Sequence, residues 1–167
     1  MTRLLAFVAI VATGLSIACN RSGKEARMQG SPLLRQRIAA LRAAYAAFNR
    51  GDMDAAVESL DPQIDWSEPA EFPGGGTYHG RAAAKQYLSQ SRAAWAEVIS
   101  EPEDFIPAGD RIVVFVHARL RPKNSDEWRD VRLADVYIFR NNTAIQMRAF
   151  ADRQDALRWA GAKLPSP

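Results

Sequence analysis

Few side chains in this sequence are placed to do chemistry, and the most telling is Asp135 in the stretch VRLADVYIF, residues 131–139. Strand alternation puts Val131, Leu133, Asp135, Tyr137 and Phe139 on one face. A carboxylate among four large apolar neighbours must be paired, hydrogen-bonded, protonated or set at a cavity edge, because an isolated buried charge is too costly. Beside a cavity, desolvation would raise its pKa and leave a neutral acid able to donate a hydrogen bond. Beside Arg119 of the preceding strand it would be a structural ion pair. Glu68 follows the same logic, since it continues the alternation of Ile64 and Trp66 and sits just before Pro69 at the start of a loop.

Other chemistries lack their residues. Two distant histidines, His79 and His117, and one cysteine, Cys19, form no ligand cluster, so neither a metal nor any other cofactor is expected. No serine with a positioned histidine and acid can be picked out. The GGG of EFPGGGTYHG lacks the following Lys and Ser or Thr of a phosphate loop, and reads as a plain loop or a lid. His79 falls where it would fix the turn ahead of a helix. His117 shares the parity of Val113 and Phe115 and is a candidate for the pocket wall. The net charge of +3 comes from scattered basic residues, which gives no reason to expect nucleic acid.

Several elements must position these groups. Ser31 and Pro32 open a helix whose Leu34, Ile38, Leu41, Tyr45 and Phe48 share a face, and Gly51 ends it. Asp52 caps a second helix, DMDAAVESL, expected to stop at Asp61 and Pro62. Ile64 and Trp66 mark a short strand, and a third helix is expected from about Arg81 to Val98, with Tyr87 and Trp95 on its inner side. Strands FIPA, RIVVFVHARLRP, WRDVRLADVYIFR and AIQMRAF follow, then a short helix capped at Asp152 and ending near Gly161. With 167 residues and helices preceding a strand meander, the expectation is one α+β domain with a curved antiparallel sheet that leaves a conical hollow.

The first residues read differently. The apolar run LLAFVAIVATGLSIA after Arg3 is short for a membrane span and precedes Cys19 and a polar stretch. Residues 1–18 read as a signal peptide, and LSIAC resembles the lipobox of bacterial lipoproteins, which implies Cys19 as a lipid anchor on a tether of residues 19–30. The expected location is then periplasmic or membrane-anchored, with the membrane engaged only through that lipid. The alternative is translation from Met28, which gives a cytoplasmic protein without cysteine. The globular domain is expected over residues 31–162, with a tail at 163–167.

From about Leu33 to Gly161, the stretches YAAFNRGDMDAAVESLDPQIDW, TYHGRAAAKQYL, EDFIPAGDRIVVFVHARLR and ADVYIFRNNTAIQMRAFADRQDALRWAG resemble, in order, the SnoaL-like branch of the nuclear transport factor 2 superfamily. The resemblance implies a cone-shaped half-barrel wrapped around a long N-terminal helix, with two to three further helices. It also implies a small hydrophobic or amphipathic ligand and a homodimer. Its ketosteroid isomerases use a carboxylate before a proline as general base, matched by Glu68. They use a protonated Asp as oxyanion donor, matched by Asp135. Their helix tyrosine falls at Ala44, one residue before Tyr45, and one helical residue is a rotation of about 100°. Tyr45 is therefore expected at the pocket wall, with Trp66, His117 and Tyr137. The Arg–Asp pair of epoxide hydrolases is missing, while the carboxylate and histidine of polyketide cyclases could be met by Asp135 with His79 or His117. These features imply cofactor-free proton transfer of isomerase or cyclase type, or else a silent binding or assembly module of the same fold.

Overall fold

The computed structural model describes residues 31–162. The expected signal peptide, the tether with Cys19 and the tail lie outside the described residues. Helix α1, Pro32–Arg50, buries Leu41, Tyr45 and Ala47 along one side. It ends at Gly51, whose φ of 81° suits glycine, with the Gly51 and Asp52 amides donating to the Phe48 and Ala47 carbonyls. Helix α2, Met53–Ala56, is capped by the Asp52 carboxylate, which accepts from the Ala55 amide at 3.1 Å. It is shorter than expected. The chain turns at Val57 and enters β1, Leu60–Glu68, so Pro62 lies inside a strand. It is tolerated there because the ladder to the neighbouring strand is irregular between Leu60 and Asp65.

Strand β2, Gly76–His79, pairs antiparallel with β1, so part of the expected glycine loop is sheet. The expected third helix is cut short for a similar reason. Helix α3 covers Arg81–Ala93, and β3 already begins at Glu97, leaving Trp95 in the turn and Val98 in a strand. The competing interaction is pairing with β4: the Ala96 amide donates to the Arg121 carbonyl, and Val98 stands opposite Leu120. Strands β3 (Glu97–Ala108), β4 (Arg111–Arg121), β5 (Arg129–Arg140) and β6 (Thr143–Phe150) complete the sheet, and α4, Arg153–Ala160, closes the described chain.

The sheet order is β2-β1-β6-β5-β4-β3, with β1 and β6 parallel and every other neighbouring pair antiparallel. Strand alternation divides the apolar residues between two cores. On the concave side, Ile64, Trp66, Val114, Val116, Tyr137, Phe139 and Met147 pack with Leu41 and Tyr45 of α1. On the convex side, Val113, Phe115, Ala134 and Val136 pack with Ala156, Leu157 and Ala160 of α4. Among the described residues this is the expected α+β architecture, a curved and unclosed sheet with four helices. Among the described residues, no helix is long and apolar enough to cross a membrane.

Candidate functional site

The concave face does not close completely over α1. It leaves a cavity of about 360 Å³, partly open to solvent, lined by residues of α1, β1, α3, β4 and β5. Along β5 the lining residues alternate as Val131, Leu133, Asp135 and Tyr137, so the face singled out by the alternation is the cavity face. Apolar side chains from β4, Val116, Ala118 and Leu120, extend this wall.

A group of hydrogen-bonded polar side chains interrupts the apolar lining. The Tyr45 hydroxyl donates to Asp135 Oδ2 at 2.5 Å, and the Tyr137 hydroxyl lies 3.5 Å from that of Tyr45. Tyr45, expected at the pocket wall one residue after the family's tyrosine position, thus reaches the Asp135 carboxylate. Counting residues gave one helical step of error, but the rotation of α1 is fixed by ties at both ends. The Arg37 Nε donates to the Asn141 carbonyl at 2.7 Å. At the other end, the Asn49 amide donates to the Ser100 carbonyl at 2.9 Å and accepts from the Ser100 amide at 2.8 Å. Arg119, the ion-pair alternative for Asp135, instead meets Glu101 at 3.5 Å on the other face.

Glu68 lines the same cavity and accepts from Trp66 Nε1 at 2.7 Å. The two residues are neighbours on one strand face, as their spacing indicated. Glu68 also borders a second, more polar depression that includes Ser67, Thr77 and Arg148. Tyr87 of α3, expected on the inner side of its helix, lines the cavity beside Glu68 and hydrogen-bonds to it. Its position was legible as an inward helical residue; its partner was not.

The histidines take no part. His117 follows the parity of Val113 and Phe115, which is the convex face, so it is turned away from the cavity it was expected to line. Its Nε2 lies 2.6 Å from Asp130 Oδ1, near Glu103, which in turn binds Arg132 and Arg153. His79 is exposed on β2, 2.7 Å from Asp65, where it ties the β1–β2 pair. No cluster of metal-ligating side chains occurs among the described residues.

The glycine loop shapes the cavity rim. Phe72 and Pro73 line it, and Phe72 and Gly75 make successive turn hydrogen bonds to Pro69 and Phe72. A Cβ at Gly75 would stand 2.0 Å from the Pro69 carbonyl oxygen. Close backbone approach therefore requires at least this glycine, and the segment is a packed turn more than a loose lid.

Residues 41–147, more than half of the chain, match the model of the SnoaL-like domain. The chain belongs to the SnoaL-like family. Similar solved structures agree on the fold. An NTF2-like protein of unknown function from Burkholderia pseudomallei is 26% identical, with 74% of this chain and 95% of that one covered and a TM-score of 0.64. TerC, co-crystallized with polyporic acid, is 23% identical over 75% of this chain and 98% of its own, with a TM-score of 0.63. A protein of ketosteroid isomerase-like fold from Catenulispora acidiphila, in complex with trimethylamine, is 16% identical over 77% and 97%, with a TM-score of 0.61. No curated protein sequence matches the chain.

In this SnoaL-like domain the acids are strongly perturbed. Burial raises Asp135 to about 6, against the opposing effect of the Tyr45 hydrogen bond. Burial, reinforced by the charge of Asp135, raises Glu68 to about 8, while the bonds from Trp66 and Tyr87 pull it down. Tyr45 and Tyr137 are pushed well above their ordinary range, first by burial and then by Asp135. Burial thus raises both carboxyls, Glu68 further than Asp135, and Asp135 accepts the hydrogen bond from Tyr45. The resemblance implied Glu68 as base and Asp135 as a protonated donor.

Proposed function

We propose that the domain binds a small hydrophobic or amphipathic molecule and moves a proton on it without a cofactor, in the manner of an isomerase or cyclase. The observation that carries this reading is the Tyr45–Asp135 hydrogen bond in the same apolar cavity as Glu68. Two carboxyls whose environments separate their pKa values form an acid/base pair. The Asp135 carboxylate would take a proton from carbon beside a carbonyl, while the Glu68 carboxyl donates to the carbonyl oxygen as the enolate forms. Return of the proton to a different carbon completes an isomerisation, and the apolar walls keep water from competing. Solved structures of the same fold with polyporic acid and with trimethylamine support a small organic ligand.

The second reading, a silent binding module, draws on the same geometry, since Tyr45 already satisfies Asp135 and a cavity needs no poised acid. One experiment separates them. Ligands captured from a lysate are returned to the protein in heavy water and their deuterium content is followed by mass spectrometry. Protein-dependent exchange that disappears in Glu68→Gln and Asp135→Asn supports catalysis; capture without exchange supports the binding module.

For location we propose export with lipidation at Cys19, on the strength of LSIAC alone. Radiolabelled palmitate should be incorporated by the full chain and lost in Cys19→Ala; label that survives this substitution excludes Cys19.

A further inference from the structure

Besides the hydroxyls of Ser91, Ser100 and Tyr87 in its wall, the cavity carries charged residues at two separated places. Asp135, Tyr45, Tyr137 and Glu68 form the first, and Arg129 is the second, an exposed residue that also lines the cavity. Arg129 and Asp135 lie on the same face of β5, six residues apart, which is about 20 Å along a strand. Between them that face carries only Val131 and Leu133.

Arg129 differs from three other arginines of the β4–β5 pair in its face and in its partners. Arg119 meets Glu101, Arg121 meets Glu97 and Arg132 meets Glu103, all on the convex side. Arg129 stands opposite Leu120 and has no hydrogen bond or ion pair among the described residues. Of the carboxylates near it in sequence, Asp130 meets His117 and Asp126 meets Arg121, while Glu127 forms no ion pair with Arg129 among the described residues. Among the described residues, the sheet thus pairs no carboxylate with Arg129, the guanidinium that lines the cavity.

We propose that Arg129 is a specificity-determining residue that receives the anionic headgroup of an amphipathic ligand, whose apolar body runs along Val131 and Leu133 toward Asp135. This rests on the ligand-binding reading of the cavity and adds the ligand's charge and orientation. An anionic head cannot lie at the deep end, where it would meet Asp135 and Glu68; the opposite orientation pairs it with Arg129 and leaves the uncharged end of the ligand beside the acids. A cationic amphiphile would meet repulsion at the rim.

The test uses the full chain and the neutral fluorophore N-phenyl-1-naphthylamine, displaced by dodecanoate, dodecanol or dodecyltrimethylammonium below their aggregation concentrations. These share a tail and differ in head charge. Dodecanoate should bind about threefold to tenfold tighter than dodecanol, as expected for one solvent-exposed ion pair, and dodecyltrimethylammonium should bind weakest. Arg129→Gln should remove the preference while leaving dodecanol unchanged, Arg129→Lys should keep most of it, and high salt should reduce it. If dodecanol displaces the fluorophore and dodecanoate is no better, or if Arg129→Gln keeps the ranking, the headgroup role is wrong and the cavity reading stands. If neither the fluorophore nor any amphiphile binds, the cavity reading falls and this inference with it.

Discussion

At the scale of residues, the central fact is a hydrogen bond between groups 90 positions apart, Tyr45 and Asp135. It opposes the burial that raises Asp135, so its removal should move that pKa further up. In Tyr45→Phe, carboxyl titration by NMR should place Asp135 about one unit above its wild-type value, because a hydrogen bond to a charged group contributes about 1.5–3 kcal/mol and part of it is replaced by cavity water. An unchanged or lower pKa would mean that Tyr45 does not govern the acid. Asp135 itself was legible in the sequence, since alternation alone sets a carboxylate among apolar neighbours. Tyr45 was legible only as an inward residue. Which inward residue meets which acid depends on the rotation of a helix against a sheet, and no local pattern encodes that.

At the scale of elements, that rotation is held by Asn49. Its side chain makes two hydrogen bonds to Ser100 of β3, at 2.9 and 2.8 Å, and fixes the last turn of α1, where Tyr45 lies one turn earlier. Asn49→Ala should leave the Ser100 amide and carbonyl short of partners and lower stability by about 2 kcal/mol, read by urea denaturation. It should also weaken the Tyr45–Asp135 bond, seen as a higher Asp135 pKa, whereas a purely local loss would leave that value alone. The order of the elements and the type of most were readable from caps, glycines and alternation. The errors came where long-range pairing overrides a local signal. Trp95 and Val98 continue the helical spacing of α3, yet pairing with β4 draws the chain into β3. Pro62 looked like a stop signal, but an irregular ladder accommodates it within β1. His117 failed for another reason: its parity was read correctly, but the sequence does not say which sheet face holds the hollow.

At the scale of the whole molecule, the cavity acids should set how stability depends on pH. Glu68 rises from 4.5 to about 8 on folding and Asp135 from 3.8 to about 6, both chiefly through burial. The folded state therefore binds more protons than the unfolded state between these limits, and stability must fall as pH rises across them. Their contribution is complete below about pH 4 and has gone once pH passes about 8. Glu103 works in the opposite sense, because hydrogen bonds from Arg153 and Arg132 lower its pKa; what it adds is lost on acidification. Stability should consequently peak on the mildly acidic side of neutrality. The double variant Glu68→Gln, Asp135→Asn should match wild type in mild acid and exceed it above about pH 8, with a higher Tm, because amides cannot ionise inside the cavity. Thermal melts of both proteins across this range test the point. Parallel Tm profiles would mean that the two carboxyls are hydrated enough to ionise freely, which would remove the electrostatic basis for reading them as an acid/base pair.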